Sequence, residues 1–141
     1  MTTSLTTKLY TAHTHVTDGR NKGHGRSSDG ELDVALSTPG LGKPGTNPEQ
    51  LFGVAYSACF LSAVLKAAAE RKIQLPEHPS VDADVTLGKT GADEFQLAVK
   101  LQVNLPGLDA KVKRELIEAA DQICPYSRMT RGNVEVELAT A

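Results

Sequence analysis

Cys59 and Cys124 are the only two cysteines of the 141-residue chain, and each stands at a position that suits redox chemistry. Cys59 lies inside the apolar run Tyr56-Ser57-Ala58-Cys59-Phe60-Leu61, and Cys124 closes a second helical run directly before Pro125. Brought together by folding, they can act as a dithiol. A thiolate that attacks a hydroperoxide becomes a sulfenic acid, and a second thiol condenses with it to a disulfide. Apolar neighbours alone raise a thiol pKa and make it inert, so a structural core cysteine and a reactive one are both open readings of Cys59. Cys124, beside a proline that interrupts its helix, is open to the same two readings.

A guanidinium next to Cys59 reverses the effect of burial. Arg20, in an early glycine-rich loop, can be carried onto the thiol by folding, where its fixed charge stabilises a thiolate and directs a peroxide oxygen. Glu49 suits the task of orienting that arginine, although an acidic residue in a first helical turn favours the helix whatever its function. Glu49 precedes Cys59 by ten residues, about 15 Å along an unbroken helix, so the two do not touch within one straight helix. Either an arginine bridges that distance, or the helix breaks, or Arg20 and Glu49 serve the cysteine of a second subunit; the last is preferred. Phe52, Tyr56, Phe60, Tyr126 and Met129 can line an apolar access path, and they serve equally well as core or dimer packing. His13, His15, His24 and His78 fall at no zinc-ligand spacing from either cysteine, so no metal site is expected.

The elements that must position these groups are legible as patterns. His13 to Val16 reads as a strand with an exposed side, Asp18 to Arg26 as a polar glycine-rich loop, and Glu31 to Leu36 as a second strand. Ser37 to Gly45, with three glycines and two prolines, favours an irregular connection. Asn47, Pro48 and Gln50 form a helix-start signal, and the helix runs to about Arg71. Its apolar residues cover most of the circumference, which predicts a surrounded helix with Cys59 in an interior or an interface. Alternation over Val81 to Leu87 and Phe95 to Val103 predicts an antiparallel pair of strands, each with one wet face. A second helix starts near Asp109, with Val112, Leu116, Ala119, Ala120 and Ile123 on one stripe, and ends at Cys124 because Pro125 discourages continuation. Val134, Val136 and Leu138 close the chain as a strand. This order fits an α+β class.

Size and charge narrow the function. The length predicts a single domain over residues 1–141. Fifteen Lys and Arg against seventeen Asp and Glu leave a net charge of -2 with interspersed signs, which excludes a basic stripe for nucleic acid. The start lacks the apolar segment of a secretory signal, and the apolar stretches read as too short or interrupted for a membrane span, so a cytoplasmic protein without membrane insertion is expected. Two cysteines in a core this large are not a disulfide scaffold.

Several ordered segments resemble the OsmC/Ohr family, and more closely its organic hydroperoxide resistance branch. They include Leu9-Tyr10-Thr11-Ala12, Gly19-Arg20, Ser27-Ser28-Asp29-Gly30, Leu36-Ser37-Thr38-Pro39, Thr46-Asn47-Pro48-Glu49-Gln50-Leu51-Phe52, Tyr56-Ser57-Ala58-Cys59-Phe60, Asn104-Leu105-Pro106-Gly107-Leu108 and Cys124-Pro125-Tyr126-Ser127 followed by Thr130-Arg131-Gly132-Asn133. The resemblance covers nearly the whole chain. It implies an intertwined homodimer with curved antiparallel sheets around central helices, and two active sites near the subunit interface. It further implies Cys59 as the peroxidatic thiol, Cys124 as the resolving thiol, and Arg20 with Glu49 as the activating pair. The implied substrates are organic and fatty-acid hydroperoxides. The implied reductant is dihydrolipoamide or a lipoylated protein, with no bound cofactor. Arg128-Met129 departs from the smaller or uncharged residues common there. Two other classes stay in view: a thiol redox sensor, and a non-enzymatic α+β binding protein.

Overall fold

The computed structural model describes residues 2–141 and falls into two compact units, one ending at Pro48 and one spanning Glu49–Ala141. In the first, strands β1 (Thr14–Thr17), β2 (His24–Ser27) and β3 (Asp33–Ala35) form a three-stranded antiparallel sheet in that order. Between β1 and β2 the chain makes a short helix, α1 (Gly19–Lys22), which carries Arg20. The expected loop over Asp18 to Arg26 is therefore half helix and half strand. Asp18 and Gly19 both take positive φ at the turn into α1, a conformation that aspartate and glycine tolerate better than other residues. Gly23 closes this turn. A Cβ at Gly23 would run into the carbonyl oxygens of Thr17 and Gly19, both backbone and unable to move aside. Gly23→Ala is expected to destabilise the protein by about 3 kcal/mol, read from the urea midpoint of unfolding. The segment after β3 is irregular as expected, tied by a single bridge between Leu36 and Thr46.

The second unit holds α2 (Pro48–Glu70), β4 (Ser80–Lys89), β5 (Phe95–Asn104), α3 (Ala110–Ile123), α4 (Pro125–Thr130) and β6 (Glu135–Thr140). The alanine-rich sequence of α2 has high intrinsic helix propensity. It ends where Lys72 turns left-handed, and the N–H groups of Lys72 and Ile73 bond back to the carbonyls of Ala69 and Ala68. Strands β4 and β5 pair antiparallel over their whole lengths, with Val81 opposite Val103 and Val85 opposite Val99. The expectation of antiparallel sheets fails at β6, which joins β5 parallel, Val99 opposite Val136. A parallel neighbour needs a long crossover, and α3 with α4 supplies it.

Val99, Leu101 and Val103 of β5 join Tyr56, Phe60, Val64 and Ala67 of α2 and Leu116, Ile117 and Ala120 of α3 in one core. Burial of each large side chain there contributes roughly 1.5 to 3 kcal/mol. Gly53 faces β4, where a Cβ would sit 3.4 Å from Val85, at ordinary contact distance. Against the expectation from sequence, α2 is long and apolar enough to cross a membrane by length and composition. One side of it packs in the core. The other side, Val54, Ala58, Ser62, Leu65 and Ala69, is exposed, so a single chain leaves half bare a helix whose sequence predicts enclosure.

Candidate active site

The two sulfurs meet at the junction of three helices. Cys59 lies midway along α2, and Cys124 is the hinge between α3 and α4. Asp109 starts α3 by accepting the N–H of Val112, which fixes the helix that delivers Cys124. The Cys124 N–H donates to the Ala120 carbonyl at 2.8 Å, as the last rung of α3. Its own carbonyl accepts from the Arg128 N–H at 3.1 Å and opens α4. Pro125 does stop α3, as expected, but it also starts α4, where a missing N–H at the first position costs nothing. Cys124 therefore has its backbone held from both directions.

Cys124 Sγ donates to Cys59 Sγ across 3.2 Å, and both thiols are free. A disulfide needs a separation of about 2.05 Å, so closing the bond asks for a shift of about 1 Å. Cys124 has no exposed surface, whereas Cys59 is half-buried and open on one side. Burial pushes the Cys59 thiol up from its ordinary pKa, and sharing a proton with the neighbouring Cys124 sulfur, which keeps Cys59 protonated, pushes it the same way. The backbone N–H of Tyr126 acts in opposition, donating to the Cys59 sulfur and favouring the thiolate.

Aromatic rings pack alongside. Phe52 lies 5.7 Å from Tyr56 edge-on and 5.9 Å from Tyr126 in a stack, and Tyr56 and Tyr126 are 5.8 Å apart. Of the five expected pocket residues these three cluster together. Phe60 and Tyr56 are both fully buried in the core and so pack rather than line an access path, Phe52 and Tyr126 are partly exposed, and Met129 is exposed. The Tyr56 hydroxyl, fully buried, reaches Ser127 Oγ at 3.1 Å and Thr130 Oγ1 at 3.2 Å. Thr130 gives its proton to the Ser127 carbonyl, so Tyr56 donates to Thr130 and accepts from Ser127. Neither hydroxyl was marked by the sequence reading. Their three-residue spacing puts them on one face of α4, a signal visible only once α4 itself is recognised.

Glu49 sits in the first turn of α2, ten residues before Cys59 on an unbroken helix, so the broken-helix alternative is removed. Arg20 belongs to the first unit, in α1, and is partly exposed. Among the described residues, no three or more His, Cys, Asp or Glu side chains are grouped to hold a metal ion.

Residues 40–139 match the model of the OsmC-like protein family. An organic hydroperoxide resistance protein of Xanthomonas axonopodis pv. citri is 45% identical over 137 residues, covering 94% of this chain and 95% of the relative. The crystal structure of OhrB of Bacillus subtilis superimposes with a TM-score of 0.89 at 40% identity, covering 95% of this chain and all of that one. An organic hydroperoxide resistance protein of Vibrio cholerae, which carries captopril in one of its active sites, superimposes with a TM-score of 0.89 at 35% identity, covering 97% of this chain and 95% of its own. With the α+β architecture and near-complete coverage in common, the chain belongs to the OsmC/Ohr family, in its organic hydroperoxide resistance branch.

Proposed function

We propose that this chain is a thiol peroxidase that reduces organic or fatty-acid hydroperoxides to alcohols. The observation that carries this reading is the pair of free sulfurs 3.2 Å apart, one half-open and one buried. In the first step the Cys59 thiolate displaces on the distal peroxide oxygen. An S–O bond forms, the O–O bond breaks, and the alkoxide leaves with a proton as alcohol. Cys124 then attacks the sulfenic sulfur, water departs, and a Cys59–Cys124 disulfide remains. A dihydrolipoyl dithiol, free or on a lipoylated protein, restores both thiols and is itself oxidised to the cyclic disulfide. The stacked, partly exposed rings of Phe52 and Tyr126, backed by buried Tyr56, supply an apolar flank suited to a hydrocarbon-bearing substrate. The relatives' names support the same substrate class.

Burial works against this chemistry, since it keeps Cys59 as a thiol. Arg20, held by Glu49, provides the compensating charge. With about 15 Å of helix between Glu49 and Cys59, the pair acts across a homodimer, one protomer's Arg20 and Glu49 on the other's Cys59. The exposed apolar stripe of α2 supports such a dimer. The protein works in the cytoplasm and needs no bound metal or cofactor.

Arg20→Ala is expected to move Cys59 ionisation to higher pH, followed by thiolate ultraviolet absorbance, and to slow oxidation at neutral pH about a hundredfold. With the cation gone, burial dominates; the thiolate fraction and the rate both climb as pH rises. A titration unchanged from wild type removes Arg20 from the site. The function itself is tested by mixing reduced protein with an alkyl hydroperoxide or with hydrogen peroxide, in the presence of dihydrolipoamide. Rapid multiple turnover preferring the organic substrate, with the Cys59–Cys124 link seen by mass spectrometry, is expected. A single oxidation without turnover makes the protein a sensor, and thiols that stay unchanged make it a binding protein.

A further inference from the structure

Something must hold α4 in place, because Cys124 is its N-cap and the Tyr126 N–H that meets Cys59 is in its first turn. On one side the Tyr126 ring packs against Phe52 and Tyr56 of α2. On the other, Ser127, Thr130, Arg131 and Gly132 face a cavity of about 220 Å³ whose far wall is Val134, Val136 and Leu138. On that side the six-residue helix lacks close apolar packing, and its ties are polar: Arg131 donates to the carbonyl and carboxylate of Asp121, and the Val134 N–H to the Thr130 carbonyl. Beside the ring contacts of Tyr126 and its N–H on Cys59, what crosses from α2 to α4 is the Tyr56 hydroxyl, bonded to both Ser127 and Thr130, three residues before Cys59 on the same helix.

We infer that the Tyr56 hydroxyl is the positioning group of the dithiol: by clamping Ser127 and Thr130 it keeps Cys124 within reach of Cys59 and so sets how fast sulfenic acid is converted to disulfide. This rests on the peroxidase reading and adds a residue to its second step. Without the clamp α4 slides toward the cavity and carries Cys124 Sγ away from Cys59. Sulfenic acid then lives longer and meets a second peroxide more often, going on to sulfinic acid.

The test is Tyr56→Phe, which keeps the ring and its contacts with Phe52 and Tyr126 and removes only the hydroxyl. Reduced protein is treated with graded organic hydroperoxide, and the ratio of sulfinic acid to disulfide at Cys59 is read by mass spectrometry. This ratio is independent of how fast Cys59 is first oxidised. Loss of two buried hydrogen bonds is expected to raise it roughly fivefold to tenfold. A Ser127→Ala/Thr130→Val variant, with Tyr56 retained, is expected to raise it similarly, and combining all three changes adds little further, because both routes break one clamp. A ratio equal to wild type in Tyr56→Phe, in protein with unchanged circular dichroism, overturns the inference. So does a pair of variants whose effects simply add. Should wild type itself form no disulfide, the peroxidase reading is what fails.

Discussion

Cys59→Ser is expected to abolish peroxide consumption, lowering turnover by at least roughly a thousandfold. The reasoning is chemical, with little change of shape. Serine is nearly isosteric, and Cys59 is half-open on a helix that would tolerate it. Its hydroxyl, however, stays protonated at every accessible pH and has no polarisable electron pair to place on a peroxide oxygen. Neither the Tyr126 N–H nor an arginine lowers an alkanol's pKa far enough to replace a thiolate. Consumption of an organic hydroperoxide coupled to dihydrolipoamide oxidation measures the effect directly. Turnover near the wild-type rate would remove Cys59 from the mechanism.

The second large effect belongs to Cys124. Cys124→Ala is expected to leave the first oxidation running and to cut steady-state turnover by at least about a hundredfold, since a thiol held 3.2 Å away is replaced by one that must diffuse in from solution. Alanine suits the fully buried position better than serine, which would put an unpaired hydroxyl into the core. Rapid mixing should show one equivalent of oxidant consumed, followed by a stall, with sulfenic acid trapped by a dimedone-type probe. Sustained turnover without sulfinic acid would show that Cys124 resolves nothing.

Both sulfurs could be read from sequence because their surroundings are strongly patterned. The alternation of Val81 to Leu87 and Phe95 to Val103 gave the β4–β5 hairpin, and the start signal at Asn47 to Gln50 gave α2 to within a residue of its observed end. Other features were hidden for identifiable reasons. A strand's alternation carries no direction, so nothing in Val134 to Leu138 distinguishes parallel from antiparallel pairing. Glycine-rich sequence masked α1 and β2, because Gly23 serves a close backbone approach there rather than a loose connection. Pro125 was read as a stop although it is equally a start, and with α4 unread the Tyr56, Ser127 and Thr130 contacts could not be foreseen. Nor does apolar periodicity tell which side of α2 its own chain covers. Val54 and Leu65 look like core in sequence and lie on the surface of the single chain.

The crossover that makes β6 parallel also carries Cys124, 65 residues after Cys59. Synthesis proceeds from the amino terminus, and segments fold as they emerge. Cys59 therefore leaves the ribosome well before Cys124, and for that interval it stands as a solitary thiol. Any oxidant present during translation can drive it past the reversible stage. On the peroxidase reading, nascent copies are thus the vulnerable ones, and self-protection begins only once both sulfurs have emerged and folded together.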